Sequence, residues 1–169
     1  MALYFIPNGA AAGAAAPVAV TTGTAIKTLL QVEPSATVVA KIVEWGISFD
    51  GSAAATPIKV ELVETSGAAT VTASATGDIT KLDGNALAGG DPVTNLIQVG
   101  TTNTGYTASG EGTPGTCRAW DTQFIAPTNQ YVKQYPLGRE PVIQVSKFAR
   151  IRVTAGTAVN AYCYMIVEV

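Results

Sequence analysis

From Thr24 onward, apolar and polar residues alternate with a period of two. Ile26, Leu30 and Val32 alternate with Lys27, Gln31 and Glu33 before Pro34-Ser35 interrupts the run. Residues 37–49 continue the pattern at greater length. Val39, Lys41, Val43, Trp45, Ile47 and Phe49 fall on one face, and Val38, Ala40, Ile42, Glu44 and Gly46 on the other. Ile58, Val60 and Leu62 alternate with Lys59 and Glu61, and residues 70–75 form a weaker run of Thr and Ala. Successive side chains of a strand point to opposite faces, so each run predicts a strand with one face turned inward.

The last third is patterned most clearly. Arg118, Trp120, Thr122 and Phe124 alternate until Pro127 turns the chain. Tyr135-Pro136-Leu137-Gly138-Arg139-Glu140-Pro141 then reads as a rigid connection with two prolines. In the run from Phe148 to Thr154, Ala149, Ile151 and Val153 point one way and Phe148, Arg150 and Arg152 the other. The final run sets Val159, Ala161, Cys163, Met165, Val167 and Val169 against Asn160, Tyr162, Tyr164, Ile166 and Glu168. Both of its faces are largely apolar, which predicts a central strand or one packed on a neighbouring subunit.

Between these runs, residues 77–116 are rich in turn signals such as Asp83-Gly84-Asn85, Gly89-Gly90-Asp91-Pro92 and Gly110-Glu111-Gly112-Thr113-Pro114-Gly115. Short strands are expected within them at 96–99 and 106–108. At the N-terminus, Leu3-Tyr4-Phe5-Ile6 is an apolar run closed by Pro7-Asn8-Gly9, and an alanine-rich, uncharged stretch follows to Pro17. These features predict an all-β, antiparallel β-sandwich, jelly-roll-like, over residues 25–169, with an extended N-terminal arm over residues 1–24 and a long loop region around 77–116.

Composition narrows the function more than the fold. Charged residues are only 13% of the 169, about half the usual share of a soluble protein. The chain has no His, which excludes an imidazole base, a His-paired nucleophile and a His metal ligand. A net charge of -2 and a pI near 5.0 do not suit nucleic-acid binding. The charge is uneven, however. Residues 130–169 hold five basic side chains (Lys133, Arg139, Lys147, Arg150, Arg152) against Glu140 and Glu168, so they carry +3 and the first 129 residues carry -5. The alternation puts Arg150 and Arg152 on a solvated strand face, or in a patch toward an acidic partner surface. No run approaches the roughly 18 apolar residues of a membrane span. The first 26 residues contain no Lys or Arg, so no secretion signal is expected.

Candidate chemistry is sparse. Asp83, Asn85 and Asp91 lack the ligand spacing of a calcium loop and read as Asx turns. The glycine-rich 110–115 segment has no Lys-Ser/Thr of a phosphate-binding loop. Cys117 and Cys163 are too few for a zinc site and read as buried free thiols. Glu61 and Glu64 lie on opposite strand faces, Glu44 reads as exposed, and Arg118, Trp120 and Asp121 read as a structural cluster. No catalytic, metal or cofactor site is expected.

Tyr135-Pro136-Leu137-Gly138-Arg139-Glu140-Pro141, the strand Ala149-Arg150-Ile151-Arg152-Val153-Thr154-Ala155, and Val159-Asn160-Ala161-Tyr162 leading to Ile166-Val167-Glu168 together resemble small head proteins of tailed bacteriophages. Those are β-sandwich decoration or cement proteins that bind the outside of an icosahedral shell, usually as trimers. The resemblance covers about a third of the chain and implies no reaction centre. It implies a homotrimer as partner, a major capsid protein beneath it, and a place on the capsid exterior after synthesis in the host cytoplasm. Leu3, Tyr4, Phe5 and Ile6 are expected to dock as an added strand on a neighbouring sheet. Arg139, Arg150 and Arg152 are the expected shell contacts. The alternative is a carbohydrate- or receptor-binding module of a tail or surface adhesin, with Trp120, Tyr106 and Tyr131 stacking on sugar rings.

Overall fold

The last strand sets the architecture. In β13 (Asn160–Glu168), Ala161, Cys163, Met165 and Val167 have no exposed surface, while Tyr162, Tyr164 and Ile166 are half-buried on the other side. Small and aliphatic residues at every second position bury one face of the strand against a facing sheet. The computed structural model describes residues 2–10, 16–52, 56–82 and 96–169, and among them 13 strands form two antiparallel sheets packed as a β-sandwich.

One sheet, A, runs in the order β10 (Gln130–Gln134), β4 (Ala40–Phe49), β13, β1 (Leu3–Pro7), β7 (Thr80–Lys81). Here β11 (Val142–Ile143) also pairs with β4, and β2 (Val20–Thr21) with β13. The other, B, runs β6 (Thr70–Ala73), β8 (Gly105–Gly110), β3 (Lys27–Val32), β12 (Phe148–Thr154), β5 (Ile58–Thr65), β9 (Cys117–Ile125). The core between them holds Tyr4, Leu30, Ile42, Trp45, Leu62, Ile151 and Met165, all fully buried.

The expected alternation holds in β12 and β13 and changes phase elsewhere. In β4, Ala40 and Ile42 face the core, but so do Trp45, Ile47 and Phe49. The pairing with β13 steps from Ile166↔Glu44 to Val167↔Ile42, which leaves Val43 as an extra residue. Such a bulge moves the following side chains to the other face, so the two-face division expected for residues 38–49 is corrected at this point. Similar shifts occur at Leu29 in β3, opposite Ile151 and Arg152, and at Trp120 in β9, opposite Leu62 and Val63.

The N-terminal arm expected over residues 1–24 is corrected over Leu3–Pro7, while residues 1 and 11–15 lie outside the described residues. Leu3–Pro7 is an inner strand, paired with β13 from Leu3↔Glu168 to Pro7↔Tyr164 and with β7 on its other side. Tyr4 and Ile6 are fully buried, so they belong to the core and cannot dock on a neighbour. The zipper extends past the strand at both ends. Ala2 and Val169 exchange backbone hydrogen bonds of 2.9 and 3.0 Å. The buried Asn8 side chain donates to the Ala161 carbonyl at 3.2 Å and accepts from the Cys163 N–H at 3.0 Å. An apolar run of four residues is too short to tell a free arm from a core strand, because both need the same side chains. Within 77–116, the expected strand at 106–108 is part of β8, whereas 96–99 contributes only isolated bridges at Ile97 and Val99.

Candidate interaction surface

The outer face of sheet B is covered over its middle strands by the chain itself, while Phe124 at its β9 edge is 72% exposed. To join β5 to β6, residues 66–69 must pass over β12 and β3, and residues 111–116 cross the same sheet between β8 and β9. The two straps hydrogen-bond to each other: Ser66 N–H to the Pro114 and Thr116 carbonyls, and Gly67 N–H to Pro114 at 3.0 Å. Their close approach requires glycine. A Cβ on Gly67 would strike the Thr113 carbonyl, and Gly112 and Gly115 have φ of +61° and +63°.

Beneath the straps lies Arg150, which has no exposed surface and corrects the expectation of a solvated strand face. Its guanidinium donates to the Gly67 carbonyl and, at 3.2 Å, to the Glu111 carbonyl, and it lies 3.5 Å from the Glu111 carboxylate. Burial lowers its pKa, and Glu111 opposes that shift. The Glu111 carboxylate in turn accepts from the Thr28 N–H and hydroxyl. Gln31 clamps the other strap, accepting from Ala69 N–H at 2.8 Å and donating to the Asn103 carbonyl at 2.6 Å. Arg152 is nearly buried and pairs with Glu61 at 3.5 Å. Neither arginine is available to a shell protein. Arg150 is the internal charge that fastens the straps, and Arg152 ties β12 to Glu61 of β5.

The outer face of sheet A has no such cover among the described residues. Phe5, Tyr162, Tyr164 and Ile166 lie on it half-buried, and Val132 is 52% exposed. The Phe5 and Tyr164 rings meet at 5.2 Å. Tyr164 lies across Gly46, where a Cβ would come 2.7 Å from its ring, so glycine here makes room for a cross-strand aromatic. Its hydroxyl donates to Glu44 at 2.6 Å. Burial and that carboxylate push the phenol up to about 12. Glu44 is thus half-buried and partnered, rather than exposed as expected. Ile47, Ser48, Gln130, Val132, Tyr162 and Tyr164 line a groove of about 270 Å³. Leu3, at 38% exposure, and the Lys41–Glu168 ion pair at 3.4 Å lie at one end of the face.

A turn projects from the edge of this sheet. β10 and β11 both pair with β4, and residues 135–141 loop out between them, held at the base by Tyr135 N–H to Val43 and Ile42 N–H to Pro141, each 2.9 Å. Arg139 N–H bonds the Pro136 carbonyl at 2.9 Å, and Gly138 has φ of +81°, the geometry of a type II turn. The turn presents Leu137 at 96% exposure with Arg139 exposed beside it. Its root is packed firmly. Tyr131 meets Trp45 at 5.2 Å and donates to Asp121 at 3.0 Å, and Lys133 pairs with the same carboxylate at 3.3 Å.

The remaining candidates are dispersed. Glu64 pairs with Arg118 at 3.9 Å while Asp121 serves Lys133 and Tyr131, so Arg118, Trp120 and Asp121 do not form one cluster. Trp120 and Tyr131 pack against the core, which removes them from a sugar platform of the kind expected. Phe124 on β9 is 72% exposed, and the sheet A face instead offers the half-buried Tyr162 and Tyr164. The sequence signal for them was the second apolar face of β13. Both cysteines are free, but only Cys163 is buried, where desolvation raises its thiol pKa; Cys117 is exposed. Among the described residues no group of acidic or Cys side chains is placed to hold a metal ion, and no helix is long and apolar enough to cross a membrane. Asp83, Asn85 and Asp91 lie outside the described residues. Comparison with protein-family models, curated proteins and solved structures returns no match.

Proposed function

We propose that this chain is a structural virion protein, a capsid decoration or cement subunit that self-associates as a trimer and binds the outer surface of a phage head through the major capsid protein. One observation carries the reading. Among the described residues the chain covers the middle of one sheet's outer face with its own straps and leaves the other face aromatic and uncovered, with Glu44 as the carboxylate near its middle. A subunit working alone gains nothing from such a face, whereas an assembly subunit buries it. The interleaved order β1-β13-β4-β10 and β3-β12-β5-β9 supports a jelly roll, an architecture common among capsid and lectin domains. Leu137 and Arg139 are the shell contact in this reading: an apolar tip and a cation on a rigid turn.

Immunogold labelling of intact particles from the source of this chain tests it. Gold on the outside of unbroken heads is expected. Label that is absent, or appears only after heads are opened, would contradict it. The groove between Tyr162 and Tyr164, with Ser48 and Gln130 alongside, favours a second reading as a carbohydrate-binding module. Saturable binding on a glycan array, lost in Tyr162→Ala, would select that reading.

A further inference from the structure

We infer that the outer face of sheet A is the surface on which this chain meets a second copy of itself. The inference rests on the self-association proposed above and assigns it a location. Six side chains carry it: Leu3, Phe5, Val132, Tyr162, Tyr164 and Ile166. Strand alternation places all six on the face away from the core, since their neighbours Tyr4, Ile6, Cys163, Met165 and Val167 are buried.

Charge selects the occupant. Glu44 is the one ionisable carboxylate near the middle of the face, and it accepts the Tyr164 hydroxyl. Lys41 and Glu168 neutralise each other at its end. A strongly basic or acidic partner therefore finds no complement here. In a trimer the contact is heterologous, so this face meets a different face of the next copy, and with Glu44 and the paired Lys41 and Glu168 as its few charges it meets little like-charge repulsion there. Interface cores are depleted in charge and enriched in Tyr and Phe in the same way.

Size agrees. β4 has ten residues, which at about 3.3 Å each gives a length of about 30 Å. The four longer strands, about 4.8 Å apart, span about 20 Å. The flat footprint is at most about 600 Å² before side-chain relief is added, of the same order as the roughly 800 Å² that a standard interface buries on each partner. Leu3 and Phe5 thus contribute through their outward side chains, with the strand itself remaining in its own sheet.

Sedimentation velocity on the full chain across the micromolar range tests this, with the double variant Val132→Lys/Tyr162→Lys and the control Leu137→Lys. The wild type and the control are expected to sediment as the same multimer. The double variant is expected as a folded monomer by circular dichroism, with association weakened roughly a hundredfold or more by the charges it would have to bury. If the double variant does not fold, Val132→Lys alone is measured, because this half-exposed site on an edge strand accommodates a lysine. Undiminished association in a folded variant overturns the inference and leaves self-association standing through another surface. A monomeric wild type overturns both.

Discussion

Residue by residue, the charged side chains are the ones the structure reassigns. Arg150 was legible as a strand residue opposite Ile151, but its burial was not, because the straps that cover it lie far away in sequence. Arg150→Ala should destabilise the chain by about 3 kcal/mol, as removing one partner of a buried pair leaves Glu111 and the Gly67 carbonyl uncompensated. Urea unfolding measures it, and a loss no larger than that of an exposed surface substitution would show that the straps hold without it. Glu33 gives a pH test. Burial raises its pKa above 4.5, and the hydrogen bond from Asn103 offsets only part of that. The folded state therefore holds the Glu33 proton more tightly than the unfolded chain. Its contribution to stability is full below about 4.5 and is lost as pH rises through the folded-state value. Glu33→Gln keeps the acceptor for Asn103 and should be more stable than wild type at neutral pH, with the advantage shrinking in acid. Denaturant midpoints at both pH values check this, and a neutral-pH midpoint below wild type would contradict it.

Strand existence and inward faces were readable wherever the alternation ran unbroken, as in β12 and β13. What escaped was phase. Val43 in β4, Leu29 in β3 and Trp120 in β9 each add one residue against a partner strand, and nothing in the local pattern marks the position. The N-terminal run was ambiguous for a different reason. Leu3-Tyr4-Phe5-Ile6 has the composition of a docking strand, and only its pairing with Ile166 and Val167 makes it internal. Deleting residues 1–8 removes an inner strand, two fully buried core side chains and the Asn8 clamp. The truncated chain should be unfolded or aggregated when purified alone, as judged by circular dichroism and gel filtration. A truncated chain with a cooperative melt near that of wild type would restore the arm. The candidate surface was partly legible too. The rigid 135–141 connection stood out by its two prolines, whereas the Tyr162–Tyr164 face required knowing that no described residue covers sheet A as the straps cover sheet B.

Across the whole molecule, the division of charge between -5 and +3 proves mostly internal. Arg150 serves the straps, Arg152 pairs with Glu61 and Lys133 with Asp121, which leaves Arg139, exposed, and Lys147, half-buried, as the other cations of residues 130–169. The outward character of the molecule comes instead from an aromatic sheet face and the Leu137 turn. Scarcity of charge, first useful for weighing against catalysis by His and nucleic-acid binding, is compatible with the proposed contact with other subunits. The most direct measurement is a cryo-electron microscopy reconstruction of the intact particle. The expected map shows this sandwich on the outside of the head, with Leu137 against the shell and the outer face of sheet A turned toward another copy. Heads whose outer density is fully accounted for without this chain would contradict the account.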